Sequence, residues 1–176
     1  MKWLSRARAG KKKLKTILSW IAVAAWMAVI FWFSSDNAAA SAQKSNAVLA
    51  IITDFFSDAQ AATDLFGEGF LVRKAAHFSE YFALGLLVAN AWLRSPWPRL
   101  LSLRPRSSRS RSVSRSMRRA LLFCVAFCAL YAITDEFHQL FVPGRVASII
   151  DVGVDALGAL PGAAIMSALF LWRKRS

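Results

Sequence analysis

The sequence predicts an all-α membrane protein, a bundle of four transmembrane helices with a short amphipathic helix at the outer face. Hydrophobic residues make up 56% of the chain, with 7 Trp and 13 Phe, which is too apolar for a soluble domain of 176 residues. The net charge of +13 is also unevenly placed, because Lys and Arg cluster in blocks that are separated by long apolar runs.

The basic blocks cover residues 2–15, 94–119 and 173–175, and they hold nineteen of the 23 Lys and Arg residues but none of the ten acidic residues. A nucleic-acid-binding domain would interleave its charges, whereas cytoplasmic loops of membrane proteins carry an excess of Lys and Arg. We therefore expect a bacterial cytoplasmic (inner) membrane protein. Its two ends, a basic arm at 1–16 and a basic tail at 173–176, are expected in the cytoplasm.

The first apolar run covers 17–33 and is long enough to span a membrane. The following SSDNAAASA resembles a signal-peptidase site, so a cleaved signal peptide is the alternative to an uncleaved span. The apolar run is long for a signal-peptide core, which favours the uncleaved span. After it, residues 34–70 form an acidic outer loop. Apolar residues at helical spacing over 47–56 predict an amphipathic helix on the membrane surface or over the bundle.

Three further apolar runs complete the four spans, at about 75–93, 120–141 and 149–172. The Arg/Ser-rich segment at 94–119 resembles segments of RNA-binding proteins. Between two spans, however, it is more simply a disordered cytoplasmic loop that fixes the topology and contacts anionic lipid, so no nucleic-acid partner is expected. A turn at Pro143-Gly144 is predicted between the last two spans.

The fourth predicted span contains Gly153, Gly158, Gly162 and Pro161. These residues predict a kink and a close contact with a neighbouring helix. Gly158 and Gly162 are four residues apart, so they lie on one helical face and would let a second backbone approach. The oligomeric state is left open by the sequence.

Polar residues concentrate at the predicted outer ends of the second, third and fourth spans, in one helical stripe on each span. Ionisable groups at this depth need a partner or a water-filled cavity. We therefore expect the three stripes to face one another around a polar pocket that opens to the outer face. The candidate pocket residues are Arg73, Lys74, His77, Glu80, Tyr81, Asp135, Glu136, His138, Gln139, Arg145, Asp151 and Asp155.

These residues resemble the VanZ-like family, small bacterial multi-pass membrane proteins named for a member linked to low-level teicoplanin resistance. Three separated motifs in order carry the resemblance, which extends over about 17–172: FSS at 33–35, RKAAHFSEY at 73–81 and DEFHQLFVPGR at 135–145, followed by Asp151, Asp155 and Gly158. The resemblance implies the fold, the membrane location and a role in glycopeptide resistance or envelope homeostasis. It implies no biochemical activity.

The family's recurring positions map onto Lys74, His77, Glu80, Tyr81, Asp135, Glu136, His138, Gln139, Pro143, Gly144, Arg145, Asp151 and Gly158. Asp155 departs from the family pattern, in which Asn is more usual, so its charge is expected to be peculiar to this chain. The Arg/Ser-rich loop is atypical as well, and we expect it to be dispensable.

The first functional hypothesis is a binding or transport-associated protein. Arg73, Lys74 and Arg145 would hold an anionic headgroup or a lipid-linked cell-envelope precursor at the outer face. Arginine suits phosphate because its planar fork donates two parallel hydrogen bonds. The expected partners are therefore membrane lipids and such precursors, and the sequence fixes neither the ligand nor a direction of transport.

The second hypothesis is a metal-dependent intramembrane enzyme. His77, Glu80, Asp135 and His138 offer the imidazole and carboxylate ligands that a divalent metal such as Zn²⁺ accepts, with Glu136 as a general base. The sequence contains no HExxH motif and no serine nucleophile elbow, so an enzyme is disfavoured and no cofactor is expected.

The third hypothesis is a structural protein, in which Arg73 and Arg145 form salt bridges with the carboxylates and only lock the helices together. Against it, Arg73 and Lys74 are predicted at a helix N-terminus on the outer side. The helix dipole disfavours cations there unless an acidic partner or an anionic ligand is present.

Overall fold

The computed structural model describes residues 2–56, 70–97 and 109–173, and within these ranges all regular structure is helical. Five helices follow one another: α1 (Lys2–Ser34), α2 (Ala38–Phe56), α3 (Phe70–Arg94), α4 (Arg109–Gln139) and α5 (Ile149–Trp172). The all-α prediction is confirmed. Residues 57–69 of the predicted acidic loop, part of the Arg/Ser-rich loop and nearly all of the basic tail lie outside the described residues.

The helix bounds match the predicted spans closely only for α5, which runs over 149–172 as expected. α1 continues without a break through the basic arm, and α4 begins at Arg109 instead of 120, so part of the predicted disordered loop is helical. Extending an existing helix adds one hydrogen bond per residue without a new nucleation step, and Arg is a good helix former. Hydropathy does not predict these helical extensions of α1 and α4, because the extended segments are basic and not apolar.

The predicted amphipathic helix over 47–56 is the second half of a longer helix, α2. Its early start follows from local chemistry, because the Asn37 side chain accepts a hydrogen bond from the backbone N–H of Ala40 at 2.8 Å. Val48 and Ile51 on α2 are exposed, at 46% and 71%. The position of α2 at the outer membrane face stays a prediction.

Three helical segments are long and apolar enough to cross a membrane: Ala9–Ser34, Met117–Gln139 and Ile149–Trp172. α3 is not among them, so the predicted count of four spans is not confirmed. The reason is chemical, because His77, Glu80 and Asn90 lower the mean hydropathy of α3. A helix that is surrounded by protein does not need an apolar residue on every face.

α3 is the centre of the bundle, since it packs against α1, α2, α4 and α5. Its residues Tyr81, Leu84 and Val88 are fully buried and form the middle of the hydrophobic core. The most extensive interface of the fold is that between α3 and α5. Tyr81 and His77 of α3 therefore lie against other helices, whereas Ser79 and Arg94 are exposed.

The contacts fix the directions of the helices. α3 runs antiparallel to α1, because Thr16 in the middle of α1 donates to the Arg94 carbonyl at 3.1 Å, while Trp26, further along α1, donates to the Glu80 carbonyl at 2.9 Å. α3 is also antiparallel to α4, because Trp92 stacks on Phe123 at 3.9 Å between ring centroids, while the earlier Tyr81 lies 6.2 Å from the later Tyr131. The C-terminal ends of α1 and α4 therefore meet the N-terminal ends of α3 and α5 at one end of the bundle.

The α3–α5 interface depends on glycine. A Cβ built on Gly158 would lie 2.5 Å from the Phe78 carbonyl oxygen, and Cβ atoms on Gly85 and Gly162 would overlap the α5 and α3 backbones respectively. The predicted close approach at Gly158 and Gly162 is confirmed. Gly153 has no atom within 4 Å of such a Cβ and takes no part in the contact. Pro161 lies inside α5, which continues through it.

The turn between α4 and α5 has the predicted Pro143-Gly144 at its centre. The Arg145 N–H donates to the Val142 carbonyl at 3.1 Å, and Gly144 has a φ of 75°. Proline before a residue with positive φ is the pattern of a type II turn, in which glycine avoids the strain of a Cβ. The Pro143 carbonyl also accepts from the Ala38 N–H at 3.3 Å, which joins the turn to the start of α2.

Candidate functional site

The candidate residues lie in the half of the bundle where α1 and α4 end and α3 and α5 begin. Two pairs join α3 to α5 there. Lys74 forms an ion pair with Asp151, and one helical turn deeper His77 Nδ1 lies 3.6 Å from Asp155 Oδ1. From the first pair to the second, the residue number rises by about one helical turn on both helices, so α3 and α5 run in the same direction. The structure thus brings the predicted stripes of α3 and α5 face to face.

Asp135 on α4 joins these residues at the centre of the bundle. It is 2% exposed and interacts electrostatically with His77 and Asp155. Glu80 also interacts with His77, and the Tyr81 hydroxyl lies in the same electrostatic neighbourhood as Asp135 and Asp155. These groups from three helices form what we call the inner cluster, namely His77, Glu80, Tyr81, Asp135 and Asp155.

The inner cluster contains more polar atoms than it pairs. Among the described residues, both carboxylate oxygens of Asp135 and of Asp155 and the Tyr81 hydroxyl are buried without a hydrogen bond. Burying a polar group without a hydrogen bond costs about 1–3 kcal/mol by mutational data, and an unpaired charge costs more. The inner cluster therefore lowers the stability of the bundle unless it holds protons, water or a ligand.

Glu136, the neighbour of Asp135, has a local structural contact. Its Oε2 accepts a hydrogen bond of 2.6 Å from the backbone N–H of Ser148, the residue before α5. The Ser148 side chain forms no capping hydrogen bond, so the carboxylate takes over part of that role at the positive end of the helix dipole. Glu136 thereby fixes the start of α5 against the end of α4.

Arg73 and Arg145, which we call the outer arginines, differ from Lys74. Arg145 Nε donates to the Asp36 backbone carbonyl at 3.2 Å, and Arg73 Nε is buried without a hydrogen bond. Burial lowers the pKa of the Arg145 guanidinium and the nearby Arg73 lowers it further, whereas Asp36 and Glu136 act in the opposite direction. Two like charges thus lie at the same end of the bundle as the candidate site.

Neither outer arginine forms a salt bridge with a carboxylate of the residues that the structure describes. The ion pairs found there use Lys74, His77 and Lys44, the last with Asp36 at 2.6 Å. The structural hypothesis required salt bridges from Arg73 and Arg145. Within the described ranges, the helices are joined by other residues.

His138 and Gln139 contact the end of α1. His138 Nε2 lies 3.3 Å from Ser35 Oγ, with its ring 4.2 Å from the Phe31 ring centroid, and Gln139 donates to Ser34 Oγ at 3.0 Å. Ser34 and Ser35 were absent from the predicted site. The signal was available in the FSS motif, since two hydroxyls close an apolar span at the level of the candidate residues.

The four candidate metal ligands lie in two places: His77, Glu80 and Asp135 are in the inner cluster, whereas His138 lies against α1. No group of three or more His, Cys, Asp or Glu side chains in the described part of the chain is arranged to hold a metal ion. His138 contacts Ser35 and Phe31 on α1, which leaves His77 with carboxylates and no second imidazole. The four-ligand centre of the enzyme hypothesis is therefore not brought together, because His138 lies apart from the other three candidates.

A groove of about 790 Å³ lies between α1 and α4, at the same end of the bundle. It is lined by Met27, Ala28, Phe31, Trp32, Ser35, Asp36 and Tyr131. None of the twelve candidate residues lines it. The level of Tyr81, Asp135 and Asp155, where the polar pocket was expected, is filled by these buried side chains themselves, and an outward-opening pocket stays a prediction.

The sequence of this chain matches the model of a known protein family. The model of the VanZ/LLP1 family matches residues 19–172, nearly the whole chain and every candidate residue. The chain belongs to the VanZ/LLP1 family. No curated protein and no solved structure matches it. With three helices apolar enough to cross a membrane, this VanZ/LLP1 chain is a membrane protein, and the resemblance found in its motifs is confirmed.

Proposed function

We propose that this VanZ/LLP1 protein binds the anionic headgroup of a lipid, or of a lipid-linked envelope precursor, at the outer face of the bacterial cytoplasmic membrane. The observation that carries the proposal is the pair of outer arginines. Arg73 lies in the first turn of α3 and Arg145 in the turn before α5, at the same end of the bundle, and neither forms a salt bridge with a described carboxylate. Two adjacent guanidinium groups repel, and a phosphate between them would convert this repulsion into attraction.

The proposal includes four spans, with α3 as the second. α3 has 25 residues, or about 37 Å at 1.5 Å per residue, which exceeds the roughly 30 Å of a hydrocarbon core. It runs beside α1, itself apolar enough to cross, from the level of Thr16 towards the level where α1 ends. Exposed Arg118, Arg119 and Arg173 lie at the opposite end of the bundle from the candidate site. That basic end is then the cytoplasmic side, and the candidate site lies at the outer side.

The chemistry of the site favours phosphate over a simple carboxylate. An arginine fork donates two parallel hydrogen bonds, and two arginines can engage three phosphate oxygens. Arg73 also lies in the first turn of α3, where unpaired backbone N–H groups and the dipole attract anions. A cation placed there is unfavourable for the helix alone and favourable once an anion binds.

The test is binding of fluorescent long-chain phosphatidylglycerol to the purified protein in nanodiscs of zwitterionic lipid. Arg145→Ala and Arg73→Ala should each weaken binding by about 10- to 100-fold, since a hydrogen bond to a charged group contributes about 1.5–3 kcal/mol. Arg145→Lys should also weaken binding if recognition is bidentate, and should retain it if charge alone matters. Arg118→Ala is the matched control, because that arginine is exposed at the opposite end.

Membrane abundance is measured on the same variants, and His77→Ala and Glu80→Ala are included. Binding that falls at normal abundance supports the proposal. If abundance falls in step with binding, the residues act as a helix clamp, and if both arginine-to-alanine variants bind like Arg118→Ala, headgroup recognition is wrong.

We also propose a role in the cell envelope, including glycopeptide resistance, because the family resemblance includes a member linked to low-level teicoplanin resistance. Expression of the protein in a susceptible host should raise the teicoplanin concentration needed to stop growth, and Arg145→Ala should lose this effect at equal abundance. A host whose susceptibility is unchanged by the wild-type protein would contradict this role.

A further inference from the structure

The groove between α1 and α4 has an apolar body and a polar end. Met27, Ala28 and Phe31 on α1 and Tyr131 on α4 form its body, while Ser35 and Asp36 lie at its end. The backbones of the two helices lie apart and are joined by side chains, among them the Tyr131 hydroxyl, which donates to the Met27 carbonyl at 2.6 Å at the inner end of the groove. Its α1 wall is also exposed, with Trp32 at 76% and Phe31 at 48%. A membrane protein with this face in the bilayer exposes the groove to hydrocarbon chains.

The depth of the groove fits one leaflet. From Met27 to the end of α1 at Ser34 the helix rises about 10 Å, and the hydrocarbon of one leaflet is about 15 Å deep. The volume of about 790 Å³ lies within the roughly 300–1,000 Å³ of pockets that hold small molecules. The groove is therefore large enough for part of a lipid, and it lies at the depth of a lipid chain.

The polar end of the groove meets an outer arginine. Asp36 lines the groove, and its carbonyl oxygen accepts the hydrogen bond from Arg145 Nε at 3.2 Å. Ser35 at the same end contacts His138. The apolar groove thus ends at Ser35 and Asp36, next to the Arg145 guanidinium. This order of an apolar body and a neighbouring cation matches an anionic lipid, whose charged headgroup is joined to a hydrocarbon chain.

We infer that the groove between α1 and α4 seats a hydrocarbon chain of the same anionic lipid whose headgroup the outer arginines bind. This inference rests on the proposed function and narrows its ligand class to an amphiphile with a long chain. The headgroup lies at Arg145 and Arg73, and the chain descends past Phe31 and Ala28 towards Met27. A soluble anion would use the arginines and leave the groove unused.

The test compares two probes, long-chain phosphatidylglycerol and the chain-free headgroup fragment glycerol 1-phosphate. Ala28→Trp fills the groove, so it should weaken binding of the lipid at least 10-fold and leave glycerol phosphate binding unchanged. Ala22→Trp is the matched control, because Ala22 is an exposed alanine of α1 that does not line the groove. It should bind both probes like the wild type.

Trp32→Ala provides a second variant that does not depend on tolerance of a bulky residue. Trp32 is largely exposed, so its loss spares the core, and it should weaken lipid binding several-fold without changing glycerol phosphate binding. If both groove variants bind the lipid like the wild type while Arg145→Ala does not, the chain does not lie in the groove and the headgroup site stands. If Arg145→Ala binds both probes normally, the proposed function itself fails.

Discussion

Gly158→Ala should loosen the contact between α3 and α5, and the structure gives the size of the effect. A Cβ at Gly158 lies 2.5 Å from the Phe78 carbonyl oxygen, and real Cβ atoms essentially never approach within 3.0 Å. The obstacle is backbone, which cannot rotate aside as a flexible side chain could. α5 must therefore move away from α3 by at least about 0.5 Å.

A gap of about 0.5–1 Å forfeits a quarter to a half of the dispersion energy of each contact it opens. Overpacking of this kind costs about 1–3 kcal/mol. Alanine is the better helix former by about 1 kcal/mol, which offsets part of the loss. Gly153→Ala is the matched control, because it changes the same residue type in the same helix with no atom within 4 Å. The difference between the two variants therefore isolates the packing cost, about 1–3 kcal/mol.

The free energy of unfolding is measured by SDS titration of the purified protein, followed by circular dichroism, for the wild type and both variants. Gly158→Ala should be less stable than Gly153→Ala by the amount given. Asp155 lies about one turn before Gly158, so the 3.6 Å separation from His77 should lengthen as well. Equal stability of the two alanine variants would refute a backbone contact between α3 and α5 at this position.

Two further substitutions test the polar interior by the same titration and by membrane abundance. Trp26→Phe should lower the free energy of unfolding by about 1 kcal/mol, because it removes the hydrogen bond to the Glu80 carbonyl and keeps an aromatic ring. Trp32→Phe is the control and should leave the free energy of unfolding unchanged, because Trp32 is 76% exposed. Equal losses in the two variants would contradict the role of this hydrogen bond. Asp135→Asn should not lower abundance, because an amide of the same shape carries no charge to bury, whereas a fall would show that the carboxylate is needed for folding.

Hydropathy located the helices because an apolar run long enough for a membrane has few other structures available. Helix ends were less predictable, since the start of α4 at Arg109 depends on propagation from an apolar helix into a basic segment. α3 shows the opposite case. Its polar residues remove it from the apolar candidates, although its contacts make it the centre of the fold. The hydropathy of a helix depends on its own sequence alone, whereas its burial depends on the other helices that pack around it.

The site was predictable to the extent that helical spacing decides it. Lys74 and His77 share a face of α3, and Asp151 and Asp155 share a face of α5, so pairing the two faces pairs the residues. On α4, successive residues are rotated by about 100°, so Asp135, His138 and Gln139 together cover about 100° of the helix surface. A surface of this width can contact more than one neighbouring helix. Asp135 therefore enters the inner cluster while His138 contacts α1, and spacing alone cannot assign the neighbours.

The two sets of charges are best explained by different roles. Glycine contacts already join α3 to α5 over a wide interface, and buried ion pairs add little net stability because desolvation offsets their attraction. A helix clamp would therefore gain little from Asp135, whose carboxylate is buried without a hydrogen bond among the described residues, although Asp155 pairs with His77 across the interface. The carboxylic groups of the inner cluster lie deeper in the bundle than the outer arginines. Under the proposed function, an anion at Arg73 and Arg145 is attracted by the outer charges and repelled by any ionised carboxylate beneath them, which favours a headgroup held at the surface over one drawn through the bundle.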